Sequence, residues 1–310
     1  MAEVTEWDAT RAASAPFGGR RSRARARRTW RPEPSAWTGL LMSAPFIVLL
    51  AVFVVYPFVR LVQTAFGPPA GLANLGTYFE NSANLYALRT TFLDAAIVTG
   101  LSFGLGALMA WSLRTTGSRL MRVLLLSAVF VPFWMGSVVK IYAFTVLLGR
   151  AGVINTLLMN LGVIGEPLPL LYTQPAVVLG MVYQMLPYAV LPMFVAYSSI
   201  DMDLILAAES AGATRAQALL QVVLPLAAPG ILATLIVNYV IAIGFFLTPV
   251  LLGGATAPFT ASVIQEDLNT YSNLRDASMG GLLLLVGGIA AIAIGYVLVG
   301  KERLRRAISG

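Results

Sequence analysis

The sequence of 310 residues contains neither cysteine nor histidine, and only 11% of its residues are charged. Without cysteine the chain has no disulfide, thiol nucleophile or iron–sulfur ligand, and without histidine it lacks an imidazole base and the usual zinc ligands. It also lacks a glycine-rich phosphate-binding loop that ends in Lys-Ser or Lys-Thr. The sequence therefore predicts no catalytic site, no metal site and no directly bound cofactor.

Long apolar runs are abundant, and hydrophobic residues make up 58% of the chain. A helix needs about 20 apolar residues to cross a hydrocarbon core of ~30 Å. Six runs meet this requirement: residues 38–64, 89–113, 121–149, 173–198, 227–250 and 279–300. We therefore expect an all-α membrane protein with six transmembrane helices, which form one domain over residues 37–306.

Basic residues are unevenly distributed among the segments that connect these runs. They concentrate before Trp37, between the second and third runs, at Arg215 between the fourth and fifth, and after Gly300. The opposite connections hold only Arg60, Arg89, Arg150 and Arg275. Because basic loops remain on the cytoplasmic side, the chain is predicted to be a multi-pass membrane protein. Both termini, including a short tail at residues 307–310, are expected in the cytoplasm.

The tail of residues 1–36 contains the run RRSRARARR and is expected to be disordered. Two interpretations compete, an orienting segment that binds anionic lipid and an arm that binds nucleic acid. The position next to a first transmembrane run favours lipid, so no nucleic-acid partner is expected. The first apolar run is too long and too late for a cleavable signal peptide.

One weakly polar segment, residues 201–226, lies between the fourth and fifth runs. Its core reads LAAESAGATRAQALLQVVLPL, in which small residues up to Gly212 precede apolar residues at helical spacing and Leu224-Pro225. Glycine permits a turn, and proline ends or redirects a helix. The pattern predicts a cytoplasmic helix-turn-helix outside the bilayer.

Polar and aromatic residues inside the runs are candidates for a substrate pathway, since such groups are costly in lipid and usually face inward. The candidates are Asp94, Trp134, Lys140, Tyr142, Tyr183, Gln184, Tyr188 and Asn238. Asp94 and Lys140 are predicted at similar depth, where they either form an ion pair or remain apart, with Lys140 extending towards the headgroups. Each aromatic candidate has packing as an alternative role.

Glycines within the runs indicate close helix packing, because small residues let helix backbones approach in membranes. Gly281, Gly288 and Gly295 recur every seven residues, and Gly100 and Gly104 form a G-x-x-x-G pattern.

Three segments carry a resemblance to a known family. Residues 201–226 resemble the EAA loop of permease subunits of ATP-binding-cassette (ABC) importers, with Ala207-Ala208, Gly212 and Leu224-Pro225 at the matching positions. VVKIYAFTVLLGRAGVINTLL (residues 138–158) and FFLTPVLLGG (residues 245–254) are similar to segments of the spermidine/putrescine branch. Leu206 departs from the pattern, since it stands where the family has its first glutamate.

The resemblance implies a type I ABC importer permease of the bacterial inner membrane, with two ATPase subunits that hydrolyse ATP, a second homologous permease chain and an extracytoplasmic binding protein. It implies contact with the ATPase through Ala207, Ala208, Glu209, Gly212, Arg215, Leu224 and Pro225. The solute would be a small charged organic molecule of the polyamine type. A secondary transporter driven by an ion gradient and a membrane-embedded enzyme are the alternative classes.

Overall fold

The computed structural model describes residues 36–68 and 71–309, with the side chains of residues 36–40, 298–299 and 301–309 left out. The predicted Arg-rich tail therefore lies outside the described residues, apart from Ala36. At the other end the helix that follows residue 274 continues to Ser309, so the predicted boundary at residue 306 does not coincide with a helix end.

The described residues form thirteen α-helices and no strand. They are α1 (Ala36–Leu50), α2 (Tyr56–Ala65), α3 (Ala73–Glu80), α4 (Ser82–Thr115), α5 (Arg119–Trp134), α6 (Ser137–Leu148), α7 (Val153–Asn160), α8 (Gln174–Ser198), α9 (Met202–Ser210), α10 (Arg215–Ala218), α11 (Leu224–Ile243), α12 (Thr260–Asn269) and α13 (Leu274–Ser309). Five-residue π-helical turns span Ala51–Val55, Leu219–Val223 and Pro249–Gly253.

Within the part of the chain that the structure describes, six helical segments are long and apolar enough to cross a membrane, which confirms the predicted number. They are Leu41–Ala65, Ser82–Thr115, Ser137–Asn160, Gln174–Ser198, Arg215–Ile243 and Leu274–Val297. The chain divides into two compact units between Phe53 and Val54, and the contacts described below all lie in the second unit.

The third predicted helix, residues 121–149, is wrong as a single element. Two helices, α5 and α6, replace it, and Met135 between them has an extended conformation. Pro132 removes a backbone donor near the end of α5, and Gly136 caps the start of α6. The break therefore has a local cause, and the segment that meets the length criterion is Ser137–Asn160 instead.

The fifth span also differs from its prediction. Leu224-Pro225 does not end a helix, because α10, the π turn Leu219–Val223 and α11 follow one another without a gap. Pro225 lies in the first turn of α11, where the wider π turn precedes it and a missing donor is tolerated. The continuous helix thus begins at Arg215, and it ends at Gly244.

Helices α4 and α8 run parallel and form the centre of the second unit. A Cβ atom on Gly106 of α4 would lie 2.8 Å from Cβ of Ala189 on α8, so the two backbones approach closely there. At Gly295 a Cβ atom would overlap the side chain of Ile236 on α11, as close packing requires. Gly100 and Gly104 meet nothing within 4 Å, so this chain does not use its G-x-x-x-G pattern for internal packing.

Candidate coupling surface and transport pathway

A tight helical hairpin links α9 to α10. Two hydrogen bonds close it: the backbone N–H of Ala213 donates to the carbonyl of Ala208, and that of Gly212 donates to the carbonyl of Glu209. This is the Schellman arrangement, which places a residue of positive φ at the second position after the helix. Gly212 occupies that position with φ of 94°. The predicted turn at Gly212 is thus present, for the conformational reason expected.

The second arm of the hairpin begins with a capping box. The Thr214 hydroxyl accepts from the N–H of Gln217, and the Gln217 side chain accepts from the N–H of Thr214. Thr-x-x-Gln is a helix-start pattern, so the sequence carries a local signal for the beginning of α10. Glu209 and Arg215 approach at 3.9 Å across the turn. Because the Arg215 side chain is largely exposed, this ion pair contributes little stability.

The hairpin rests on the ends of the long helices. Ile205, Ala218 and Val223 are buried in a cluster with residues of α4 and α8. In addition, the guanidinium of Arg114, in the last turn of α4, donates to the carbonyl of Ile200. The hairpin is therefore fixed at its base to two membrane-spanning helices.

The tip of the hairpin is open. Gly212 and Arg215 are exposed, and a Cβ atom on Gly212 would meet nothing within 4 Å. Leu206 is 52% exposed, and Ala207 is exposed beside it, whereas Ala208 and Glu209 are half-buried. The hairpin thus presents small and apolar groups on its free side, together with the charged Arg215.

Asp94 and Lys140 do not form an ion pair in the described part of the chain, so of the two alternatives the structure shows the one in which these residues remain apart. Asp94 is fully buried and accepts a hydrogen bond of 2.6 Å from the Gln174 amide, at the first residue of α8. Asp94 lies in the interior of α4 and Gln174 at the start of α8, whereas Lys140 lies in the first turn of α6, after the break at Met135. Asp94 therefore ties α4 to α8.

Gln184 also joins elements rather than standing free in a pathway. Its amide donates to the hydroxyl of Thr248 at 2.6 Å, and both residues are buried. Close approach around this bond depends on glycine, because a Cβ atom on Gly180 would lie 2.5 Å from Leu252, and one on Gly253 would lie 2.6 Å from Val177. The Thr-Pro-x-Leu-Leu-Gly-Gly segment thus packs into the side of α8.

Asn238 of α11 satisfies a backbone group that a proline leaves unpaired. Pro192 has no N–H, so the carbonyl of Tyr188, four residues earlier in α8, lacks its helical partner. The Asn238 amide donates to this carbonyl at 3.1 Å and to that of Thr234 at 2.9 Å. Asn238 is therefore a buried link between α8 and α11.

The aromatic candidates divide by exposure. Trp134 and Tyr142 are exposed on the surface of this chain, and so, in part, is Tyr188. Tyr183 is half-buried, with its ring 5.3 Å from that of Phe144. The exposed rings remain candidates for a pathway that runs along the outside of this chain, whereas Asp94, Gln184 and Asn238 serve the packing of its helices.

Asn155 lies in the segment of residues 138–158 that is similar to the spermidine/putrescine branch. Its side chain forms three hydrogen bonds. Its amide donates to the carbonyls of Gly149 and Leu168, and its side-chain oxygen accepts from the N–H of Leu168. Gly152 is required beside it, since a Cβ atom there would lie 2.5 Å from the carbonyl oxygen of Leu147. The Leu-Gly-x-x-Gly-x-Ile-Asn pattern thus encodes a clamp on the segment between α7 and α8.

The described residues contain six apolar segments, parallel central helices and a hairpin fixed to the ends of those helices. These features are typical of the membrane subunit of a transporter. The comparison with known families agrees: residues 96–301 match the family described as binding-protein-dependent transport system inner membrane component. The chain therefore belongs to this family, and it is an ABC importer permease of the inner membrane.

Individual relatives are consistent with that assignment. The chain is 31% identical over 256 residues to the spermidine/putrescine transport system permease protein PotB of Salmonella typhimurium, covering 76% of this chain and 88% of PotB. It is 33% identical over 278 residues to the inner membrane ABC transporter permease protein YdcU of Escherichia coli, covering 85% and 86%. A crystal structure of a bacterial ABC transporter that imports the acidic polysaccharide alginate has the same fold, with a TM-score of 0.72, 20% identity and coverage of 86% and 96%.

Proposed function

We propose that this chain forms half of the pore of an importer for a small organic cation of the polyamine type, and that residues 201–226 transmit movement from an ATPase to the pore. The observation that carries the proposal is the hairpin around Gly212. Its tip is exposed, while its base is fixed to α4 and α8. Displacement of the tip by a bound ATPase would therefore move the two central helices, because the base of the hairpin is packed against both.

The proposed complex has two ATPase subunits, a second homologous permease chain and an extracytoplasmic binding protein. This chain has no catalytic site of its own, and ATP is bound and hydrolysed by the ATPases. Ala207, Ala208, Glu209, Gly212, Arg215, Leu224 and Pro225 form the coupling segment. With Leu206 in place of a glutamate, the free side of α9 offers an apolar contact to the ATPase, and Glu209 is the acidic group nearest to it.

The polyamine assignment is supported by the similarity to the spermidine/putrescine permease PotB, which shares 31% identity with this chain over most of both chains. The alginate importer has the same fold and an acidic cargo, so the fold alone does not select a charge. The substrate must be assigned from groups of this chain, and the acidic residues Glu266, Asp267 and Asp276 around one cavity favour a cation.

Uptake of spermidine should require ATP hydrolysis. We expect the chain to copurify with an ATPase subunit when the two are expressed together with the second permease and the binding protein. Reconstituted vesicles should take up radiolabelled spermidine with ATP and lose uptake when the ATPase Walker lysine is replaced. Uptake that follows an ion gradient without ATP would instead establish a secondary transporter.

The proposed orientation places both termini and the Gly212 hairpin in the cytoplasm, on the evidence of the basic residues. A cytoplasmic reporter fused after Ala307 should therefore be active, and one inserted after Asn269, at the end of α12, should report an external position. An external signal after Ala307 would place the hairpin on the side without ATP and remove its coupling role.

A further inference from the structure

A cavity of about 900 Å³ lies where the start of α4, the helix α12 and the start of α13 meet. Its polar lining includes Asn84, Glu266, Asp267, Tyr271, Asn273 and Asp276. In the proposed orientation this end of the chain faces the binding protein. The cavity is of the size that small-molecule sites have, about 300–1,000 Å³.

Three carboxylates give the cavity a negative field. Burial raises the pKa of Asp267, and the charges of Asp276 and Glu266 raise it further. The same field acts on Tyr78, where burial and the charges of Asp267 and Asp276 raise the pKa to about 12. The three carboxylates therefore repel one another across a shared space, and a cation in that space would relieve the repulsion.

No basic side chain of the described residues neutralises this field. Arg275 precedes Asp276 in the sequence, but its guanidinium donates to the carbonyl of Pro68 at 3.4 Å. Across the described ranges the single ion pair joins Glu209 to Arg215 on the hairpin. Among the described residues, no side chain therefore neutralises the negative charge of the cavity.

Two buried groups of the cavity lack partners. Asn84 is only 3% exposed, and its amide nitrogen has no hydrogen-bond partner. One carboxylate oxygen of Asp267 is likewise buried and unpaired. Rotation of the Asn84 amide about its Cβ–Cγ bond presents the oxygen instead, so both groups can accept from an ammonium. Unpaired buried polar groups are costly, and a bound ligand would satisfy them.

The spacing of the carboxylates favours an extended cation over a metal ion. In the described residues, no three acidic side chains converge closely enough to hold one metal ion. Charges that are spread around a cavity instead match a ligand that carries several separated positive groups. Hydrogen bonds within the lining do not occupy every acceptor atom. Glu266 accepts from the Tyr271 hydroxyl at 3.3 Å through one carboxylate oxygen, and its other oxygen can accept from a ligand.

We propose that this cavity, formed by Asn84, Glu266, Asp267 and Asp276, binds an organic cation with two or more ammonium groups as it leaves the binding protein. The inference rests on the proposed function, because it assigns a receiving site to the same importer. Each ammonium group would lie against one or two carboxylates, and the Asn84 amide would accept from the group nearest to α4.

Equilibrium dialysis of radiolabelled spermidine against the purified permease–ATPase complex, without binding protein, tests the site. Wild-type complex should bind spermidine, and Asp267→Asn or Asp276→Asn should each weaken binding by about tenfold. Glu166→Gln is the matched control, because Glu166 is exposed in the segment between α7 and α8 and does not line the cavity. Its affinity should equal that of the wild type.

Loss of folding does not explain the expected loss of binding. Asp267→Asn keeps the shape of the side chain and removes repulsion, so its thermal unfolding temperature should equal or exceed that of the wild type. The proposal is overturned if wild-type complex binds no spermidine, or if the Asp variants bind it unchanged. It is also overturned if these variants weaken only the docking of ligand-free binding protein, since a basic side chain of that protein would then occupy the cavity. If the cavity proposal is overturned but ATP drives spermidine uptake, the proposed function as an importer subunit still holds. If the chain does not assemble with an ATPase, the proposed function itself is wrong.

Discussion

Replacement of Gly212 with valine should abolish ATP-driven uptake while the permease remains in the membrane in normal amount. The φ of 94° at Gly212 is disfavoured for residues with a Cβ atom and most strongly for β-branched ones. The strain costs about 1–2 kcal/mol or more. It falls on two hydrogen bonds of an exposed hairpin, outside the membrane-spanning helices. We expect at least about a tenfold loss of binding-protein-stimulated ATP hydrolysis, measured in reconstituted vesicles.

Two further variants separate the causes of that loss. Gly117→Val is the matched control, because Gly117 has no positive φ and a Cβ atom there meets nothing within 4 Å. It should retain uptake. Gly212→Asn places a side chain at the hairpin but tolerates positive φ better than valine. If Gly212→Asn supports uptake, backbone strain causes the loss in Gly212→Val. If Gly212→Asn also lacks uptake, crowding of the side chain against the ATPase causes it. Wild-type uptake by Gly212→Val would refute the coupling role of residues 201–226.

The sequence predicts the hairpin well because local rules determine it. A run of small residues, a glycine and a following helical pattern are local features, and the Schellman bonds at Ala208 and Glu209 join residues five and three positions apart. The same holds for the number of membrane spans, since length and apolar content are read from contiguous residues. What these rules do not reveal is which face of the hairpin is fixed, because Arg114 contacts Ile200 from 86 residues away.

Elements whose geometry depends on distant packing were predicted less well. Proline was expected to end or redirect the helix at Leu224-Pro225, but a π turn before it allows the helix to continue. Near Met135 the opposite occurred, because an apolar run that was long enough for one helix contains a break. Apolar content alone cannot distinguish these two outcomes, since both segments are equally suited to lipid.

The candidate pathway shows the same limit for polar residues in the membrane. Asp94 and Lys140 were paired by depth, but depth does not specify the direction of a side chain around its helix. Asp94 points to Gln174 on α8. Asn238 likewise has a structural partner, the Tyr188 carbonyl, which Pro192 leaves without a donor. A proline four residues after a carbonyl is a signal that sequence alone offers, and a polar side chain on a neighbouring helix is its natural complement.

Replacement of Asn155 with alanine should lower the free energy of unfolding more than any other single change between α6 and α8. Asn155 is fully buried, and its side chain satisfies two carbonyls and one N–H of Gly149 and Leu168. Each of these bonds contributes about 0.5–1.5 kcal/mol, and buried groups left unpaired cost about 1–3 kcal/mol each. Water can reach part of this region and offset some of the loss. We therefore expect a decrease of about 3–5 kcal/mol in the free energy of unfolding.

Thermal unfolding of the detergent-solubilised protein should show this loss as a decrease in midpoint on the order of 5–10 °C. Asn160→Ala provides the matched control, since Asn160 ends the same helix, α7, but is exposed and forms none of these bonds. Its midpoint should stay near that of the wild type, which rules out a general effect of removing an asparagine from α7. Asn155→Asp should be destabilised at least as strongly as Asn155→Ala, because a buried carboxylate oxygen would face the carbonyls of Gly149 and Leu168 in place of the amide donor. Equal midpoints for Asn155→Ala and Asn160→Ala would mean that the clamp does not hold the segment between α7 and α8, and that Gly152 alone shapes this turn through its close approach to Leu147.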